Sequence, residues 1–170
     1  MSDVLARWNT LPGNEAAKEI LVCCGSRAWA ENMAARRPIA DEAALLDACD
    51  LVCKGLAESD WMEAFRSHPR IGETSALAAT SARSATWSRG EQSKIWTENS
   101  EIKMTMAQRN RAYEERFGRT FIICATGKSA RDIIENLKRR MRNDKVEELH
   151  ESAEQQRQIA HLRLKKWLAA

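Results

Sequence analysis

Few side chains in this sequence have both the type and the setting for chemistry. Of the three histidines, His150 and His161 sit in a charged helical stretch and read as surface. His68 differs: it lies in Phe65-Arg66-Ser67-His68-Pro69-Arg70-Ile71-Gly72-Glu73, where a helical pattern gives way to a Pro/Gly loop. Pro69 fixes its own φ and biases His68 away from the helical region, so the imidazole would be presented at a helix end on stiff backbone. Two roles fit: a proton-transfer group that titrates near neutrality, or a helix-terminating histidine that complements the dipole, the commoner one. Ser88-Arg89-Gly90-Glu91 has the form of a capping box, and Gln92 adds a second polar side chain at the same helix start. Such a start offers free N–H groups to an anion, although capping alone would explain Ser88 and Glu91. Arg163, between Leu162 and Leu164, is either a snorkelling surface residue or an anion clamp, and Arg139 and Arg140 read as solvated.

Other chemistries are disfavoured by spacing. Cys49 and Cys53 are four apart and Cys23 and Cys24 adjacent, neither being the spacing of zinc or thioredoxin sites, so the cysteines read as small buried hydrophobes and no metal is expected. No phosphate-binding glycine loop, dinucleotide fingerprint or Gly-x-Ser-x-Gly elbow occurs, so no cofactor is expected. Lys and Arg, 27 against 24 acidic residues, are interleaved with them, and no nucleic-acid stripe is evident. The longest apolar run, Ile20 to Cys24, is far shorter than a membrane span. With no leader pattern at the N-terminus and an odd number of cysteines, a soluble cytoplasmic protein with reduced thiols is the expectation.

The elements that must position these residues are helices. Seven Gly and three Pro in 170 residues are about half the usual share of roughly 12%, while alanine is the commonest residue. Folds that need frequent tight turns are thereby disfavoured, leaving an all-α, single-domain bundle over 1–170. Ser26 caps a helix through Met33 that Pro38 stops. Asp41 opens a longer one with Leu45, Ala48, Leu51, Val52 and Leu56 on one face. Asp60-Trp61-Met62-Glu63 resembles a capping box for a short helix through Phe65. Periodicity is lost from Ser67 to Thr86. It returns near Ser88 and across Glu101 to Phe117, with Met106, Asn110, Tyr113 and Phe117 on one stripe and Gly118 as the stop. Phe121 to Ala125 is too short for a helix and reads as extended and buried. Ser129 with Asp132 caps the next helix, and the last runs from about Asp144 to Trp167, polar outside, with Val146, Leu149, Ala153, Ile159, Leu162 and Trp167 facing inward.

Four segments in this order, Phe65-x-x-His68-Pro69, Ser88-x-x-Glu91-Gln92, Asn110-x-x-Tyr113-x-x-x-Phe117-Gly118-x-x-Phe121-Ile122-Ile123 and Ile159-x-x-Leu162-Arg163-Leu164, resemble the 2-oxo-4-hydroxy-4-carboxy-5-ureidoimidazoline (OHCU) decarboxylases. Leu11-Pro12 and Ala34-x-Arg36-x-Pro38 also look like that family's N-terminus. One departure is Arg70-Ile71-Gly72-Glu73 after His68-Pro69, where many members have an Asp-Leu pair. The resemblance implies an all-α fold, commonly a homodimer, and a cofactor-independent reaction of urate catabolism that turns OHCU, a small ureidoimidazoline carboxylate, into (S)-allantoin and CO2. It implies His68 and Glu91 as the catalytic pair. Pro69, Ser88, Gln92, Arg163 and the backbone of Phe121, Ile123 and Ala125 are implied as substrate contacts. Two other readings stay open on the residues alone: a non-catalytic helical interaction module with His68 and Glu91 as end-caps, and a metal-dependent hydrolase, which lacks a third convergent ligand.

Overall fold

The computed structural model describes residues 2–72, 86–87, 90 and 99–170, which are helical with no strand among them. In chain order the helices are α1 (Asp3–Thr10), α2 (Gly13–Ile20), a 3-10 turn (Leu21–Cys23), α3 (Arg27–Ala35), α4 (Glu42–Lys54), α5 (Glu58–Arg66), α6 (Ser100–Phe117), α7 (Ala130–Arg140) and α8 (Lys145–Leu168). Contacts group them into two compact units, residues 1–64 with 156–170 and residues 65–155. No helix among the described residues is long and apolar enough to cross a membrane.

In the first unit the capping residues do what their types predict. Ser26 Oγ accepts from Trp29 N at 3.2 Å, and Asp41 Oδ1 from Ala44 N at 2.9 Å. Trp8, Trp29, Met33, Leu45, Leu164 and Trp167 form the centre of the core. Trp8 meets Trp167 edge to face at 5.5 Å and donates its indole N–H to Ala16 O at 2.9 Å, so a large buried ring leaves no polar atom unpaired. Arg37 closes the end of α1, donating to Trp8 O at 2.6 Å and to Leu11 O at 2.8 Å. The face of α4 differs from the expected one: Leu51 is 53% exposed, and Cys49 and Cys53 complete the inner stripe with Leu45, Ala48 and Val52. Helix α5 begins at Glu58, ahead of the expected start, because Asp60 Oδ2 accepts from Ala57 N at 2.9 Å. Asp60 is thus the third residue reaching back, rather than the cap itself.

In the second unit the stripe of α6, Met106, Asn110, Tyr113 and Phe117, is buried as expected, and Gly118 ends the helix at φ 70°. That left-handed turn costs an L side chain energy and glycine none. Ser129 and Asp132 form a full capping box for α7. The inner face of α8 departs from expectation. Its buried residues in this unit are Glu148 and Ser152, one helical turn apart, while Val146 is 63% exposed.

Candidate active site

His68 follows α5 and is half-buried, its N–H bonded to Phe65 O at 3.2 Å in the turn that ends the helix. The chain beyond it is tied to α6 one turn apart. Asn110 Nδ2 donates to Ile71 O at 2.9 Å, and Arg70 makes a two-pronged pair with Glu114 at 2.6 and 2.8 Å. Ile71 is buried in a cluster with Met106, Tyr113, Phe121, Ile123 and Ala125. The residues after His68-Pro69 that departed from the family pattern therefore anchor this segment. Asn110, on an otherwise apolar stripe, was the legible sign that a backbone carbonyl must be met there.

Phe121 to Ala125 is buried and neither helix nor strand. Its backbone is held from one side by long polar side chains. Arg140 Nη1 donates to Ile122 O at 2.6 Å, Cys124 N–H to Gln155 Oε1 at 2.9 Å, and Lys128 Nζ to Cys124 O at 2.7 Å. Arg140 is fully buried, not solvated as its sequence setting suggested. Its guanidinium lies 4.5 Å from the Phe121 ring centroid and bonds Glu148 Oε1 at 2.6 Å and Ser152 Oγ at 3.0 Å. Glu148 also accepts from Tyr113 OH at 2.5 Å and from Asn143 Nδ2 at 2.9 Å, so this buried ion pair has its polar atoms met on every side. Burial first, and then the bond to Glu148, push the Tyr113 phenol up to about 12. Among the described residues, hydrogen bonds of this strip use the backbone at Ile122, Cys124 and Ala125 O. None uses the N–H of Phe121, Ile123 or Ala125.

Arg163 belongs to the first unit and has no exposed surface, which removes the snorkelling reading; its Nη1 lies 3.5 Å from Val22 O. His161, expected on the surface, is mostly covered and pairs with Asp50. The structure thus gathers His68, Pro69, Phe121, Ile123 and Ala125 in one unit and carries Arg163 in the other. Ser88, Glu91 and Gln92 lie outside the described residues. The first unit also has an apolar groove of about 610 Å³ lined by Ala17, Leu21, Ala30, Ala34 and Arg37, which contains none of the site residues named above.

Over 146 residues, 85% of this chain and 45% of the relative, the sequence is 35% identical to the uric acid degradation bifunctional protein TTL of Arabidopsis thaliana. The chain therefore spans less than half the length of that relative. A crystal structure of OHCU decarboxylase in the presence of (S)-allantoin matches 89% of this chain and 98% of its own length, at 32% identity and a TM-score of 0.75. A structure of (S)-allantoin synthase shares the fold at 16% identity, with a TM-score of 0.67 over 96% of this chain and 53% of its own. The OHCU decarboxylase family description matches residues 9–165, a span that runs through both units, and the chain belongs to that family.

Proposed function

We propose that this chain is a carboxy-lyase that releases CO2 from OHCU and yields (S)-allantoin, acting as one domain over residues 1–170 without a metal or organic cofactor. The observation that carries the reading is the correspondence with the OHCU decarboxylase solved in the presence of (S)-allantoin, which covers 98% of that chain. A homodimer belongs to the same reading on the family resemblance, and the cytoplasm on the odd number of cysteines.

The chemistry fits the residues. Losing CO2 from a carbon beside a C=N or C=O group leaves an electron pair that the substrate ring accepts itself, so no separate electron sink is required. The protein has to hold the carboxylate out of the ring plane, stabilise the charge that moves onto the ring, and deliver a proton to one face. His68, on a segment pinned to α6 by Asn110 and Glu114, meets the substrate hydroxyl or carboxylate and assists proton transfer. Glu91 sets the imidazole's tautomer. Ser88, Gln92 and the peptide edge at Phe121, Ile123 and Ala125 supply neutral hydrogen bonds to the ureide. Arg163 receives an anionic oxygen on its planar fork. Pro69 stiffens the backbone beneath the ring.

His68→Ala is expected to fold normally and to lose the enzymatic rate while the substrate decays unaided to racemic allantoin. Optical rotation reads the difference, and one enantiomer made at the parent rate by this variant would remove His68 from the reaction. Arg163→Lys is expected to weaken allantoin binding about tenfold, because one ammonium cannot make both prongs of the charge-assisted pair. An unchanged binding constant in calorimetry would remove Arg163 from the ligand.

A further inference from the structure

The strip from Phe121 to Ala125 is gripped at alternate peptides, by side chains rather than by a neighbouring strand. Arg140, the last residue of α7, donates to Ile122 O at 2.6 Å. Both polar atoms of Cys124 are engaged. Its N–H donates to Gln155 Oε1 of α8 at 2.9 Å, and its carbonyl accepts from Lys128 Nζ at 2.7 Å. Lys128 leaves the turn that follows the strip, where Gly127 has φ 79° and the Lys128 N–H bonds Ala125 O at 3.1 Å. All of these residues belong to the second unit. In an extended chain a residue points its N–H and C=O to one edge, and its neighbours point theirs to the other. Arg140, Gln155 and Lys128 therefore stand where a partner strand would, along the edge of residues 122 and 124.

The opposite edge is left open. Ile123 is 7% exposed, yet among the described residues no group meets its N–H or its C=O, nor the N–H of Phe121 or Ala125. Backbone groups in a buried segment are nearly always paired. The side chains clustered around this strip, among them Ile133, Leu137 and Ile71, are apolar and cannot pair them. The edge thus offers uncharged donors beside an acceptor, which complements a ureide, whose own N–H and C=O groups alternate. Its direction is set from behind. Without the two bonds at Cys124, the peptides on either side of that residue would be free to rotate and carry the Ile123 carbonyl with them.

We propose that Gln155 and Lys128 are positioning residues: by holding both polar atoms of Cys124 on one edge, they turn the Ile123 peptide edge toward the ureide of the substrate. The identity of that ligand rests on the decarboxylase reading. Neither side chain touches the substrate. Arg140 grips Ile122 in the same manner but also answers the buried Glu148, so replacing it probes the fold rather than the edge. The edge bonds the ureide alike in the ground state and the transition state. Loosening it therefore raises KM and leaves kcat nearly unchanged. A tether that only stabilised the fold would do the converse, lowering the folded fraction, and with it the apparent kcat, at an unchanged KM.

The test joins steady-state kinetics of (S)-allantoin formation to a titration of the isotope-labelled whole chain with (S)-allantoin, followed by backbone amide resonances. Gln155→Leu and Lys128→Met are each expected to raise KM and weaken allantoin binding about tenfold, roughly the worth of one hydrogen bond. Gln155→Glu keeps an oxygen acceptor for Cys124 N–H and should return KM to the parent value. In the parent, the amides of Phe121, Ile123 and Ala125 should shift with allantoin ahead of those of Ile122 and Cys124. If one variant does not fold, the other carries the comparison. A KM unmoved by both substitutions, a fall in kcat at the parent KM, or shifts centred on Ile122 and Cys124 overturns the proposal and leaves the decarboxylase reading standing. A parent chain that forms no (S)-allantoin, yet shows the alternating shifts and loses them in Gln155→Leu, overturns that reading and supports the proposal.

Discussion

Tyr113 shows how one buried side chain reports on the site's support. Its hydroxyl reaches Glu148 Oε1 at 2.5 Å, beneath the Phe121–Ala125 strip that Arg140 holds. Burial, and after it the neighbouring carboxylate, disfavour the phenolate and raise its pKa to about 12. A folded value above the usual 10 means that the stability Tyr113 contributes is complete below about pH 10 and lost as pH rises through the folded value. The chain has a single tyrosine, so phenolate absorbance reads Tyr113 alone. We expect no phenolate well past pH 10 in the folded protein, its appearance coinciding with loss of the helical circular dichroism. A titration centred near 10 with the helices intact would show that the hydroxyl is not buried against Glu148. Replacing Arg140 with Leu leaves Glu148 as a buried anion without its cation and is expected to cost about 3–5 kcal/mol in denaturant unfolding. A cost below about 1 kcal/mol would mean that the pair is solvated.

At the scale of the element, α6 is the helix that fixes the His68 segment, and its two tethers differ in worth. The Arg70–Glu114 pair is exposed, with Arg70 at 47%, and contributes little, about 0–1 kcal/mol. Asn110 is 3% exposed and donates to the carbonyl of buried Ile71, so Asn110→Ala strands an acceptor at a cost of about 1–3 kcal/mol. Asn110→Ala should therefore slow stereospecific allantoin formation, while Glu114→Ala stays near the parent rate; the reverse order would show the exposed pair to be the real tether. The stripe of α6 and the Ser129–Asp132 cap were legible because apolar spacing and caps are local signals. The inner face of α8 was not, because Glu148 and Ser152 look like solvent-facing residues until Arg140 and Tyr113 arrive from other helices. On α4 the burial of Cys49 and Cys53 was legible from their spacing, but Leu51 was misplaced on the inner face, where a leucine's hydrophobicity outweighed a position that is 53% exposed.

Over the whole molecule, charge is nearly balanced, at +3, and much of it is spent on pairs that hold carboxylates below their ordinary range. Arg139 does so for Glu151, Ser129 for Asp132 and Lys138 for Glu135. At Asp50 burial pulls the other way, but Arg157 and His161 prevail. These groups lie in both units, so acid acts on both. A depressed folded pKa means that the stabilisation is present above the unfolded value, near 4, and is lost as pH falls through the lower, folded one. His161 is raised, so its share is complete below about 6.5 and is lost as pH rises through its folded value. The thermal midpoint is therefore expected to fall steeply below about pH 4. Added salt should shrink that drop, since most of these pairs are solvent-exposed and screened over a Debye length of about 8–10 Å. A midpoint that held constant to pH 3, or a drop that salt left unchanged, would mean that these carboxylates are not held by the partners assigned to them.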